Sequence, residues 1–173
     1  MPKTFEKDFI SYCNNQELEI NPNQIAVIKK LEQYYQSNFK SFFSKLFSKQ
    51  NSKKGFYLFG GVGVGKTMIL NFFIDQVDQK KLRQHFNEFM LSFHDFAHER
   101  KGKNEENVIN QFVKNLKLKA SLIYFDEFQV TNIVDAMILG KLFEQIFKED
   151  IKIILTSNTK ISELYKEGLQ REQ

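Results

Sequence analysis

The chain has 173 residues, of which 42% are hydrophobic and 27% charged, which is enough apolar material for one globular core. Its formal net charge of +4 permits contact with nucleic acid or an anionic membrane but argues for neither. The single cysteine, Cys13, excludes an internal disulfide framework, and no apolar run approaches the roughly 18 residues that span a bilayer. Because segment 1–15 contains Glu6 and Asp8 and lacks the apolar stretch of a signal peptide, we expect a cytoplasmic protein.

The N-terminal part of the sequence is predicted to be helical. Residues 1–20 are expected to be a partly structured lead-in, and Asn21-Pro22 predicts a helix start, because Asn caps helices and Pro fits their first position. An apolar stripe with helical spacing then continues to Leu46, in one helix or in two that separate at Ser37-Asn38. We favour packing of this stripe on the core over a helix on a membrane surface. We therefore divide the chain into a helical lead-in, 1–50, and a core domain, 51–173.

The core domain is predicted to alternate strands and helices after a polar linker. In chain order we expect a strand at 56–59, a helix at 68–77, a charged turn at 79–83, a second short strand that includes 85–86, and helices at 88–100 and 108–118. A strand at 122–125, a helix at 131–147, a strand at 151–155 and a short helix at 161–166 are expected to follow. Such alternation favours an α/β fold with a parallel sheet that is covered by helices on both faces.

A glycine-rich segment follows the first predicted strand directly and has the spacing of a phosphate-binding loop. Glycines let the backbone adopt conformations that are closed to other residues, so that N–H groups can turn toward phosphate oxygens. In such a loop Lys66 reaches the β- and γ-phosphates and the Thr67 hydroxyl binds Mg²⁺. The alternative is a glycine turn that happens to precede Lys-Thr. We predict that the whole segment binds nucleotide: Gly60, Gly61, Val62, Gly63, Val64, Gly65, Lys66 and Thr67.

Polar side chains follow two later strands. Open parallel sheets bind ligands at the carboxyl ends of their strands, so Asp126 is predicted to hold Mg²⁺ together with Thr67. Glu127 can orient and polarise the water that attacks the γ-phosphate, which makes it the candidate catalytic base. The alternative is that this acidic pair merely ends a strand at the surface. Asn158 follows the next strand and could bond the γ-phosphate or the attacking water, although Thr-Ser-Asn is also common in turns.

These segments together resemble the family of the bacterial cell-division ATPase ZapE and its mitochondrial homologues. The resemblance covers the chain from about residue 20 onward and rests on five runs: GFYLFGGVGVGKT at 55–67, FDEFQVT at 125–131, DAMILG at 135–140, TSN at 156–158 and LYKEGLQRE at 164–172. It implies a P-loop NTPase of the AAA+ type, magnesium-dependent hydrolysis of ATP and assembly into a ring. Lys66, Glu127 and Asn158 would then be catalytic, and Arg171 would reach into the site of a neighbouring copy.

The resemblance also implies partners and an extent. Bacterial members act on the FtsZ ring, so FtsZ, other division proteins and the membrane periphery are the expected surroundings. Family members are considerably longer, so we expect a chain truncated before the fifth strand and the helical lid of the AAA+ fold, with strand 56–59 as an uncovered edge. Two other functions stay open: a DNA-associated ATPase like the helicase loaders, although the sequence has no strong nucleic-acid signal, and a nucleotide-binding fragment that does not hydrolyse ATP.

Overall fold

The structure is a computed structural model that describes residues 4–39, 53–130 and 133–164. Within these ranges it contains six α-helices, four β-strands and one short 3₁₀ helix (Ile161–Glu163). The elements are, in chain order, α1 (Phe5–Asn15), α2 (Pro22–Phe39), β1 (Gly55–Phe59), α3 (Lys66–Gln76), β2 (Lys81–His85), α4 (Phe86–His98), α5 (Glu105–Lys119), β3 (Leu122–Asp126), α6 (Ile133–Lys148) and β4 (Lys152–Ser157).

The four strands form one parallel sheet in the order β1-β4-β3-β2. Ile123 of the central strand β3 lies opposite Leu82 of β2 on one side and Ile153 of β4 on the other. The predicted α/β class with a parallel sheet is confirmed. Within the described ranges β1 is an edge strand, as expected.

The chain divides into two compact units. The first consists of Met1–Phe56 and Gly63–Asp78, and the second of Tyr57–Val62 and Gln79–Gln173. Helix α3 thus belongs to the first unit, although the sequence assigned it to the core domain. The predicted boundary between residues 50 and 51 stays a prediction. None of the helices in the described ranges is long and apolar enough to cross a membrane.

The first unit is held together by aromatic side chains. Phe9 of α1 contacts Phe72 of α3 at a ring-centroid distance of 5.0 Å, and Phe5 contacts Phe73 at 5.6 Å. All four side chains are buried. The expected lead-in is therefore a regular helix over Phe5–Asn15, whose buried residues recur every fourth position at Phe5, Phe9 and Cys13.

Helix α2 begins where the sequence predicted. The Asn21 side chain accepts a hydrogen bond from the backbone N–H of Asn23 at 2.9 Å, which caps the helix. The helix continues through Ser37 and Asn38, so of the two alternatives left open by the sequence, the helix is unbroken at this point. Both side chains donate to backbone carbonyls one turn earlier and stay inside the helical geometry. The rest of the predicted stripe, 40–46, lies outside the described residues.

The core of the second unit is rich in phenylalanine. Phe89 of α4 lies 4.6 Å from the ring of Phe125 in β3 and 5.7 Å from that of Phe112 in α5. The predicted second short strand is present as β2 and includes His85, but it occupies Lys81–His85, so the turn predicted at 79–83 is wrong from Lys81 onward, and Phe86 begins α4. Exposed and partly buried residues alternate along β2, so only one of its faces packs on the core.

Candidate active site

The glycine-rich segment 60–67 connects β1 to α3. Gly63 and Gly65 have φ angles of +79° and +85°, in the left-handed region that favours glycine. A Cβ atom added at Gly63 would meet nothing within 4 Å, so backbone conformation rather than crowding requires glycine there. Val62 is 86% exposed and Val64 is 51% exposed, so both valine side chains of this loop are accessible to solvent.

The side chain of Gln24 contacts this loop within the first unit. Its Nε2 donates a hydrogen bond to the Val64 carbonyl at 3.2 Å. A Cβ atom on Gly65 would lie only 2.6 Å from the same Nε2, so the flexible end of Gln24 would have to shift, and it is the positive φ angle that favours glycine at this position. The Gly65 carbonyl accepts from the N–H of Ile69 at 3.0 Å and so starts α3. Sequence reasoning missed Gln24, because no periodic pattern links α2 to a loop forty residues away.

At the carboxyl end of β3 the second unit holds Asp126 between two other strands. Its Oδ1 accepts from Thr156 Oγ at 2.6 Å and from the N–H of Glu127 at 3.2 Å, and its Oδ2 accepts from Arg83 Nη2 at 3.1 Å. The Asp126 side chain is only 8% exposed. Burial by itself raises the pKa of this carboxyl, but the hydrogen bonds from Thr156 and Arg83 outweigh burial and hold the pKa below its usual range.

Glu127 has the opposite environment. Its side chain is exposed, and its backbone has a φ angle of +54°, a conformation that costs a residue with a side chain about 1 kcal/mol or more. The Glu127 N–H faces Thr156 Oγ at 3.3 Å, which helps to hold this conformation. The two neighbouring acids therefore differ: Asp126 is buried and fixed, whereas Glu127 is open to water. Because Asp126 is buried, the alternative that the acidic pair merely ends a strand at the surface does not apply to Asp126.

Three strand ends meet at this edge of the second unit. The Gly60 N–H donates to the Ser157 carbonyl at 3.2 Å, which joins the start of the loop to the end of β4. The Tyr57 hydroxyl donates to the Thr159 carbonyl at 2.6 Å, and the Tyr57 ring lies edge-on to Phe128 at 6.1 Å. Tyr57 thus contacts the residue after Asn158 and the residue after Glu127.

The structure brings some predicted site residues together. Within the second unit, Gly60, Asp126, Glu127 and the exposed Asn158 lie along one edge of the sheet, and Gly61 and Val62 continue from there. Residues 63–67 belong to the first unit, with Lys66 and Thr67 in the first turn of α3. Arg171 lies outside the described residues. The roles assigned to these residues stay predictions.

The parallel sheet, with a glycine-rich loop after its first strand, gives the chain the fold of P-loop proteins of the AAA+ class. The structure of the replication initiator DnaA bound to AMPPCP and single-stranded DNA has a similar fold, with a TM-score of 0.56 and 15% identity. The match covers 92% of this chain and 43% of that one. At this identity the likeness is one of fold alone.

The chain belongs to the AFG1-like ATPase family, whose family model matches residues 8–173. It is 41% identical over 134 residues to Lactation elevated protein 1 homolog B of Danio rerio, which covers 72% of this chain and 27% of that protein. It is 37% identical over 127 residues to Cell division protein ZapE of Escherichia coli K12, which covers 72% and 33%. The matched parts thus amount to about a quarter to a third of these relatives. The resemblance seen in the sequence is confirmed.

The contact between Gln24 and the loop can be tested by amide hydrogen exchange. Gln24→Ala removes the donor to the Val64 carbonyl and leaves the loop sequence intact. We expect amides in 61–66 to exchange about fivefold faster without nucleotide, the equivalent of one hydrogen bond worth ~1 kcal/mol. Gln36→Ala is the matched control, because Gln36 also lies on α2 but donates to Glu32. Equal exchange in both variants would show that the contact does not restrain the loop.

The hydrogen bond from Thr156 to Asp126 predicts a pH-dependent stability. The folded-state pKa of Asp126 is lowered, so its stabilisation is present above the unfolded value and is lost as pH falls through the folded value. Thr156→Val removes the donor, and we expect a loss of about 1.5–3 kcal/mol in the free energy of unfolding at pH 7, as for a hydrogen bond to a charged group. Urea denaturation of both proteins at pH 7, 5 and 3 should show this difference shrinking toward acid. A constant difference would contradict the pairing, and Thr159→Val controls for the change in shape.

Proposed function

We propose that the chain binds ATP with Mg²⁺ and hydrolyses it as an AAA+ core. The observation that carries the proposal is Asp126, a buried carboxylate that β2 and β4 fix at the end of β3, in a chain whose first strand leads into a phosphate loop. Burying a charge is costly unless it is paired, so a fixed carboxylate at a ligand-binding edge favours a functional role. Membership of the AFG1-like ATPase family supports the same activity.

The phosphate loop would bind the triphosphate. Glycines at positive φ angles, Gly63 and Gly65, let consecutive backbone N–H groups turn toward phosphate oxygens. Lys66 would place its ammonium group at the β- and γ-phosphates, and the first turn of α3 would add backbone N–H groups and the positive end of its dipole. The match to an AMPPCP-bound protein of the same fold is consistent with a nucleotide ligand.

The donor chemistry of Thr67 and Asp126 suits a magnesium ion. Mg²⁺ prefers oxygen ligands and keeps several waters, and the Thr67 hydroxyl and the Asp126 carboxylate would supply oxygen atoms for it. In the described part of the chain, no group of three or more His, Cys, Asp or Glu residues could hold a metal by itself. This fits an ion that depends on phosphate and water for its other ligands. When bound, the ion supplies positive charge that offsets the charge developing on the phosphates.

Glu127 would act as the base and Asn158 as the group that contacts the γ-phosphate. The Glu127 carboxylate is open to water, so it can accept a hydrogen bond from the attacking water and orient it. The Asn158 amide can donate to the γ-phosphate or to the same water. Tyr57 would steady both residues through its contacts with Phe128 and Thr159. Arg171 keeps the role that the family resemblance implies, which is to stabilise transition-state charge in a neighbouring copy.

We propose further that hydrolysis drives the remodelling of protein assemblies in cell division, by a ring of several copies with FtsZ among the partners. The support is the 37% identity to the Escherichia coli cell division protein ZapE. We place this activity in the cytoplasm at the membrane periphery. The single cysteine fits a reducing compartment.

A DNA-associated ATPase is the second candidate, because a protein with this fold has been seen with AMPPCP and single-stranded DNA. The two functions differ in what stimulates hydrolysis. FtsZ polymers should raise the ATPase rate under the first proposal, and single-stranded DNA should raise it under the second. Stimulation by DNA should fall steeply with salt, because binding to phosphates releases counterions.

The proposed ATPase activity predicts different defects for two variants. Lys66→Ala should weaken the binding of a fluorescent ATP analogue at least about tenfold, because it removes the cation at the phosphates. Glu127→Gln should still bind the analogue, but its rate of phosphate release should fall at least about 100-fold, as expected when a general base is lost. Glu163→Gln is the matched control, since it removes an exposed carboxylate elsewhere in the second unit.

Each outcome of this experiment bears on a separate claim. Folded wild-type protein that binds no nucleotide would refute the proposal as a whole. Normal turnover by Glu127→Gln would remove Glu127 as the base while leaving the nucleotide site in place. Binding without turnover by the wild-type chain would favour the non-hydrolysing alternative for these 173 residues.

A further inference from the structure

Arg83 is a cation at the candidate site that the proposed function does not use. It lies on β2 opposite Tyr124 of β3 and shares a sheet face with Asp126. Its guanidinium donates to Asp126 Oδ2 at 3.1 Å, and its central carbon lies 5.4 Å from the centroid of the Tyr124 ring. The Arg83 side chain is 47% exposed, in contrast to its buried partner.

We propose that Arg83 is the counter-ion of Asp126 in the cation-free chain and competes with a divalent cation for this carboxylate. The inference rests on the proposed function, in which Asp126 holds Mg²⁺. The Thr156 hydroxyl and the Glu127 N–H donate hydrogen bonds to Oδ1 of Asp126, and both donors lie at the carboxyl end of the sheet. Oδ2 is bonded by the half-exposed guanidinium. A cation or its bound water therefore gains full access to the carboxylate only when Arg83 moves aside.

The two sides of the carboxylate are unequal in mobility. Thr156 is 1% exposed and lies at the end of β4, so its hydroxyl keeps Asp126 in place whether or not Arg83 is bound. The Arg83 side chain is long and half in water, so it can leave at small cost because water replaces its hydrogen bond. This asymmetry distinguishes a displaceable counter-ion from a residue that orients Asp126.

Electrostatics favours an exchange over joint occupancy. A buried carboxylate without a partner is costly, so Asp126 needs a positive charge when no metal is bound. A guanidinium and a divalent cation at the same oxygen repel each other, because both carry positive charge. One of them must therefore leave as the other arrives, and removing Arg83 should make cation binding tighter.

Direct binding of Mn²⁺ tests this competition without relying on turnover. The free Mn²⁺ signal in electron paramagnetic resonance gives its dissociation constant for the full chain, for Arg83→Gln and for the charge-conserving Arg83→Lys. We expect Arg83→Gln to bind Mn²⁺ roughly threefold to fivefold more tightly, the size of effect that a half-exposed ion pair produces. Arg83→Lys should stay within about twofold of the wild type, because it keeps the competing charge.

Arg100→Gln is the matched control for loss of one positive charge. Arg100 pairs with Glu99 and lies over the Phe96 ring, so its contacts are with the end of α4 and the residue after it rather than with the Asp126 network. Its Mn²⁺ affinity should equal that of the wild type. If Arg83→Gln does not fold, Arg83→Met keeps a stem that can cover Tyr124 while removing the charge, and it should show the same gain.

Unchanged or weaker binding of Mn²⁺ by the folded Arg83 variants would overturn the inference. Weaker binding would mean that Arg83 helps to position Asp126 for the cation. Asp126→Asn separates this failure from failure of the proposed function. If Asp126→Asn weakens binding while Arg83→Gln fails to strengthen it, only the competition is refuted. If Asp126→Asn binds like the wild type, Asp126 is not a cation ligand and both claims fall.

Discussion

The arrangement of the second unit depends on the pairing of one buried carboxylate. Asp126 ends β3, and its charge is balanced by donors from the strands on either side, Arg83 from β2 and Thr156 from β4. A charge this deep is tolerated only when it is paired and hydrogen-bonded, so the three strands must end in register at this edge. The observed register, with His85 opposite Asp126 and Phe125 opposite Leu155, meets that requirement.

The segment after the carboxylate is shaped by the same pairing. The Thr156 carbonyl accepts a hydrogen bond from the N–H of Phe128 at 2.7 Å. The Thr156 hydroxyl donates to the Asp126 carboxylate and accepts from the Glu127 N–H. The chain therefore turns sharply, which exposes Glu127 and returns Phe128 to the core. Phe128 then meets Tyr57, whose hydroxyl holds the carbonyl of Thr159. Tyr57 is thus a physical connection between the segments that carry Glu127 and Asn158.

The sequence predicted those parts whose signal is local. The glycine spacing of 60–67, the β-branched run at 151–155 and the Asn21 cap each depend on near neighbours, and the elements appear close to where they were expected. β2 was predicted only at its last residue, His85, because Leu82 is the one apolar residue in this strand and exposed residues alternate with partly buried ones. The contacts of Gln24 and Arg83 were missed for a different reason. They join residues about forty positions apart, and strand register and helix packing decide them rather than any local pattern.

Gln24 and Arg83 each donate a hydrogen bond to a residue of a sequence motif without belonging to a motif themselves. Gln24 bonds a carbonyl of the phosphate loop within the first unit, and Arg83 bonds the acid at the end of β3 within the second. Neither belongs to a motif, and each reaches a motif residue by a side chain that is partly in solvent. A partly solvated hydrogen bond is easily exchanged, because water can take the place of either partner. Gln24 and Arg83 therefore fix the position of motif residues in the ligand-free chain through contacts that water can replace.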